Sequence, residues 1–305
     1  MRNINKLSSF WLKVIAMVTM TFDHLGIIFM SFWGTGSSIK YNFYLTCRYI
    51  GRLALPLYCF LLVEAVLHTR NYKKYNIKLG IMALIISIAL AVTQYVPAFK
   101  DFSMVADAGN IFLDLLLGSV MIYCLKHENK YIKPLAILPL GYSILSFVVK
   151  AMERASCPSC YTALTITWFP GFMRLQYDWM SLAFMLGFFL SYKAAKLVYK
   201  MREEETGVSA DNMIGTNEWR ITVNLFAVLT VVVVSIGYYL IDYINPSIVF
   251  WVPNIQVFAM AAGVFLALYS GSRGYNEKWF NNFAYLYYLM HIIVLFGICY
   301  LIYLV

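Results

Sequence analysis

The chain has 305 residues, of which 61% are apolar and only 13% charged, with a formal net charge of +9. A soluble domain averages about 45–50% apolar and 25% charged residues, so this balance excludes an ordinary soluble protein and implies an integral membrane one. The excess of Lys and Arg lies mostly in short loops between apolar runs, which argues for membrane orientation and against nucleic acid as a partner.

Stretches long and apolar enough to span are expected at 10–33, 48–68, 77–96, 109–125, 134–150, 175–198, 220–243, 248–270 and 282–304. The predicted fold is therefore an all-α, polytopic integral membrane helical bundle of about nine transmembrane helices, or ten if Tyr161–Phe172 dips into the membrane. Residues 1–305 read as a single membrane domain, since the only long hydrophilic stretch, about 199–219, is too short for a soluble module. Basic clusters follow the even-numbered spans and the N-terminus carries Arg2 and Lys6, placing the N-terminus in the cytoplasm of a cell whose plasma membrane holds the chain. The first span is too long for a signal peptide and no small-residue cleavage site follows it.

That first span, WLKVIAMVTMTFDHLGIIFMSFW, places Asp23 and His24 near its middle. A carboxylate at the centre of a membrane helix costs roughly 2.5–3.5 kcal/mol on insertion scales, so such groups face a cavity or a partner. Lys13, eleven residues before His24, shares its stripe, roughly 16 Å lower along the axis. Asp23 and His24 point about 100° apart, and each must find its partner on another helix. An imidazole is also the side chain best suited to take and return a proton near neutral pH.

In the second span Arg48 and Arg52 share a face, expected toward its outer end, and Glu64 and His68 share one near the other end. Pro56 removes a backbone hydrogen bond between them and is expected to kink the helix. In the fourth span Asn110, Asp114 and Gly118 recur every four residues, a stripe that suits either helix–helix glue or a cavity wall. Cys157-Pro-Ser-Cys160 forms the one close cysteine pair, read as a loop disulfide or spare thiols because no thioredoxin-like context surrounds it. The last span carries His291, with Tyr287 one turn before it and Tyr288 three residues before it. Counted from Asn281, His291 lies roughly 15 Å deep, about as deep as His24, which is consistent with a common chamber.

Four segments carry a family resemblance. L-K-V-I-A-M-x2-M-x2-D-H in the first span and I-G-R-L-A-L-P-L-Y-x-F-L-L-V-E-A-x2-H-T-R-N-x2-K-Y in the second are the longest. G-N-I-F-x-D-L-L-L-G in the fourth and Y-L-Y-Y-L-M-H in the last complete the set. With these the chain resembles the TraX family, named for the enzyme that acetylates the N-terminus of conjugative pilin. Lys13 and His24 also match the basic-x10-His pattern of the related family-three acyltransferases. The last span departs from the Tyr-Pro-x-His form of relatives, having Leu289 and Met290 before His291.

The resemblance implies acetyl-CoA-dependent acyl transfer, with no metal, to an extracytoplasmic peptide, glycan or lipid-linked acceptor. On that reading His24, Asp23, His291 and Arg52 are the candidate catalytic residues. Lys13, Arg48, Asn110, Asp114, Tyr287 and Tyr288 are the candidates for holding the acyl-CoA. His24 would act as general base or carry the acyl group itself, and Asp23 would hold a positive charge or orient Arg52 or His291. Without the resemblance, the same buried ionisable residues would also serve a proton-coupled transporter or flippase.

Overall fold

A computed structural model describes residues 6–34, 36–96, 109–156, 167–244 and 255–304. Among these the chain is helical, with no strand beyond an isolated bridge between Leu7 and Tyr269. The Cys157–Cys160 pair and the first half of Tyr161–Phe172 lie outside the described residues. Seven helical stretches are long and apolar enough to cross a membrane, and the protein is a polytopic helical membrane protein. Of the nine expected spans, 109–125 forms a helix of 16 residues and the described part of 248–270 a shorter apolar one, Ile255–Ala267.

Contacts divide the chain into two compact units, and the chain enters each more than once. The first comprises Met1–Leu61, Leu190–Tyr239 and Asn254–Val305. It holds α1 (Ser9–Trp33), α2 (Ser38–Gly51) and the start of α3 (Ala54–His68). The second comprises Leu62–Phe189 and Leu240–Pro253. It holds the end of α3, α4 (Tyr72–Tyr95), α5 (Ile111–Lys126), α6 (Ile137–Ser156) and the start of α7 (Trp179–Thr206). The remaining elements, α8 (Ala210–Met213), most of α9 (Asn217–Ile244), α10 (Ala262–Ala267) and α11 (Lys278–Tyr303), belong to the first unit.

In the first unit, α1 runs antiparallel to α2 and parallel to α11. Gly26 and Gly51 permit the first approach: a Cβ on Gly26 would lie 2.9 Å from that of Cys47, and one on Gly51 would collide with Asp23. Such close packing of small residues is how helices associate where lipid offers no hydrophobic drive. The α1 entry is pinned by backbone bonds from Lys6 and Leu7 to Leu268 (3.0 and 2.9 Å), and from Ser9 to Ser272 (2.9 Å). These bonds start α1 and α11 at one end of the unit. Further along the pair, Phe32 packs on Phe296, Tyr300 and Tyr303. Ring stacking of Tyr49 on Phe258, with centroids 4.0 Å apart, seats α2 on the Ile255–Ala261 turn.

The second expected span begins ten residues early. Ser37 caps α2, its hydroxyl accepting from the Lys40 amide at 3.3 Å, and α2 and α3 together cover Ser38–His68. Arg48 and Arg52 therefore sit midway along this stretch, not toward its outer end. The helix breaks at Arg52 and Leu53, whose amides donate to Tyr49 and Ile50 at 3.3 Å in tighter turns. Pro56 explains the position, because a proline ring clashes with the carbonyl four residues earlier, here that of Arg52.

In the second unit, Asn110 caps α5 by accepting from the Phe112 amide at 3.0 Å. Tyr72 stacks on Tyr123 at 3.9 Å and Ser119 donates to Asn76 at 2.5 Å, joining α4 to α5. The outer faces of α4, α9 and α11 keep large apolar side chains exposed, among them Ile81, Ile88, Leu229, Val233 and Ile293. An apolar exterior of this kind suits contact with lipid tails.

Candidate functional site

The parallel pairing of α1 and α11 brings polar residues together in rungs. At the end where both helices begin, Lys13 Nζ donates to Asn281 Oδ1 at 2.9 Å. Two to three turns further in, Thr21 Oγ1 and the Tyr287 hydroxyl lie 2.6 Å apart. Since Thr21 already donates to the Met17 carbonyl at 2.8 Å, the phenol donates to Thr21. The next rung joins His24 and His291, with Nδ1 of the first 2.9 Å from Nε2 of the second. The His291 ring stacks on Tyr287, and Tyr288 stands edge-on to both imidazoles at 5.9 Å. Equal depths from Lys13 and Asn281 are what align the two histidines.

Asp23 faces the other way, toward α2. Its Oδ2 lies 2.8 Å from Arg48 Nη1, while Oδ1 accepts from Arg52 Nη2. Arg52 also donates from Nε to the Arg48 carbonyl at 3.3 Å. Asp23 and Arg52 are buried, and Gly51 is what lets the carboxylate reach them. One carboxylate against two guanidiniums leaves this cluster with a charge of +1, one residue from His24. Of the two partners expected for Asp23, the structure places Arg52 on it together with Arg48, whereas His291 goes to His24.

Asn110 and Asp114 belong to the second unit, where backbone and hydroxyl groups occupy their polar atoms. Asn110 Nδ2 donates to the Ala83 carbonyl at 2.7 Å and to Ser87 Oγ at 2.9 Å. Asp114 accepts from the Gln176 and Tyr177 amides, at 2.6 and 3.2 Å, and from Ser181 Oγ at 2.5 Å. The Asn110 side chain thus ties the start of α5 to α4, and Asp114 anchors the irregular segment preceding α7. The same segment is held by ions the sequence reading did not single out: Lys150 on Asp178 at 3.0 Å, and Arg174 on Glu153. All of these but the partly covered Glu153 are buried. Glu64 and His68 pair at 3.2 Å, the histidine side chain being 55% exposed, as a structural contact at the helix end would be.

The family model described as TraX protein matches residues 8–242, more than half of the chain. The chain belongs to the TraX family. The TraX match takes in α1 to α9, with Asp23, His24 and both arginines, and ends before His291. Among curated proteins, this TraX chain is 31% identical over 174 residues to the Dichelobacter nodosus protein named "Probable fimbrial assembly protein FimC, serogroup H1". That match covers 55% of the chain and 65% of the relative, so the chain spans slightly less than two thirds of the relative's length. No solved structure matches it.

Proposed function

We propose that this TraX-family protein is a membrane-embedded acyltransferase. It moves an acetyl or other short acyl group from cytoplasmic acyl-CoA to an amine or hydroxyl of an extracytoplasmic acceptor, such as a pilin N-terminus or a surface glycan. The observation that carries the reading is the hydrogen-bonded pair of imidazoles between two apolar helices, with a net-cationic Arg–Asp–Arg cluster one residue away. The fimbrial-assembly name of the relative supports an acceptor connected with pili.

The chemistry follows from these groups. His24 takes the proton of the acceptor N–H or O–H as the nucleophile attacks the thioester carbonyl. The new acyl bond forms, the C–S bond breaks, and coenzyme A leaves as its thiol with the proton that His24 returns. The surplus positive charge of Arg48 and Arg52 favours the oxyanion of the tetrahedral intermediate, an effect that grows where water is scarce. With the N-terminus in the cytoplasm, Lys13 stands at the end from which the anionic donor arrives, and Tyr287 and Tyr288 flank the route to His24. Asn110 and Asp114 then serve the fold of the second unit.

The test is mass spectrometry of pili and cell-surface glycans from cells producing the wild-type or His24→Ala protein. An acyl mass increment is expected with the wild type and not with the variant. An increment that survives His24→Ala, with the variant present in the membrane, would overturn the assignment.

A further inference from the structure

The orientation of the two imidazoles fixes their protons. His291 Nδ1 lies 2.6 Å from the Tyr287 carbonyl oxygen. A carbonyl only accepts, so Nδ1 of His291 carries a hydrogen. In a neutral ring the other nitrogen then holds a lone pair, and that nitrogen, Nε2, faces His24 Nδ1 at 2.9 Å. Two lone pairs would repel at that distance, so His24 Nδ1 carries its ring's hydrogen. The Met20 carbonyl, 3.1 Å from the same atom, makes the same demand. By elimination the lone pair of His24 is on Nε2, and no described residue hydrogen-bonds that nitrogen. A doubly protonated His291 would instead turn an N–H toward His24 and force Nδ1 to accept while facing a carbonyl. The neighbouring Arg–Asp–Arg cluster already carries a positive charge, which disfavours adding a second cation.

We infer that His291 is a positioning residue that acts through His24: it relays the Tyr287 carbonyl to His24 Nδ1, holding His24 in the tautomer whose Nε2 is the free base. The carboxylate adjacent in sequence does not perform this task, because Asp23 is spent on Arg48 and Arg52. The usual orienting carboxylate of a histidine base is here replaced by a second imidazole, locked by a main-chain oxygen. When His24 accepts a proton at Nε2, its Nδ1–H strengthens toward His291 Nε2, so the imidazolium is stabilised without a buried anion. The inference rests on the acyltransferase reading for its consequence, while the tautomer itself is independent of any activity.

Two measurements separate these. Nitrogen-15 NMR of histidine-labelled protein in micelles, with His24 assigned by comparison with His24→Ala, reads the tautomer directly. The wild type is expected to show Nδ1 of His24 protonated and Nε2 bare. His291→Leu should weaken this preference, leaving the Met20 carbonyl alone to hold the hydrogen on Nδ1, and His291→Gln, whose amide can donate to the Tyr287 carbonyl and accept from His24, should restore it in full. In acyl transfer, His291→Leu should lower kcat about 100-fold or more with little change in KM, and His291→Gln should recover at least about ten-fold of that loss. A His24 ring protonated on Nε2, or equal activities of the Leu and Gln variants, would overturn the inference. Loss of activity in His24→Ala alongside either result would leave the acyltransferase reading standing. Full activity of His24→Ala beside the expected tautomer would remove that reading and keep the hydrogen-bond chain.

Discussion

Replacing Asp23 by Asn tests the electrostatics of the α1–α2 contact. The carboxylate binds both guanidiniums, one at 2.8 Å, with side chains of Asp23, Arg48 and Arg52 only 8, 13 and 4% exposed. The amide keeps one acceptor oxygen but no charge, so the cluster rises from +1 to +2 with little water to screen it. Removing one partner of a buried ion pair costs about 3–5 kcal/mol, chiefly because the remaining charge is stranded. Asp23→Asn should therefore fall in that range, measured by reversible denaturant unfolding in mixed micelles. A variant combining Asp23→Asn with Arg48→Met and Arg52→Met should regain most of the loss, since no charge is left unpaired. A single variant within about 1 kcal/mol of wild type, or a triple variant no better than the single one, would refute this reasoning.

Other substitutions probe the close contacts and the second unit. Gly51→Ala places a methyl group where the Asp23 side chain lies, and should cost about 1–3 kcal/mol in the same unfolding assay. Lys150→Met leaves Asp178 buried without its cation and should cost about 3–5 kcal/mol, partly relieved by adding Asp178→Asn. Asp114→Asn loses acceptor capacity toward Gln176, Tyr177 and Ser181, which should appear as faster hydrogen exchange at residues 167–178 and about 1–3 kcal/mol of lost stability.

Much of the first unit was legible because its signals are local. A long, predominantly apolar run places α1 at Ser9–Trp33 against an expected 10–33, and equal helical depth anticipates the meeting of His24 and His291. The kink from Pro56 follows from covalent geometry alone. The start of α2 was hidden because Ser38–Cys47 mixes polar and aromatic residues with no long apolar run. Partner choice was hidden more deeply: that Asp23 takes both arginines depends on the approach allowed by Gly51, which only the packed helices define. Lys150 ends the apolar stretch expected at 134–150, yet it is buried and paired with Asp178. A lysine after an apolar run, with Asp178 and Glu153 as candidate anions, was the available hint. Thr21 left a fainter one, lying one turn before the His24 position on α1's inward side. The stripe of Asn110 and Asp114 is the case where one pattern fits two roles, and the side-chain hydrogen bonds of Asn110 to α4 and of Asp114 to residues 176–181 decide for anchoring.

The most direct measurement is thiol release from acetyl-CoA by the purified protein in detergent or proteoliposomes, with an acceptor peptide or glycan supplied. A TraX-family acyltransferase working through His24 should release coenzyme A and transfer the acetyl group, and His24→Ala should abolish both while still folding. A wild-type protein that neither binds nor consumes acetyl-CoA, as a proton-coupled transporter would behave, would contradict it.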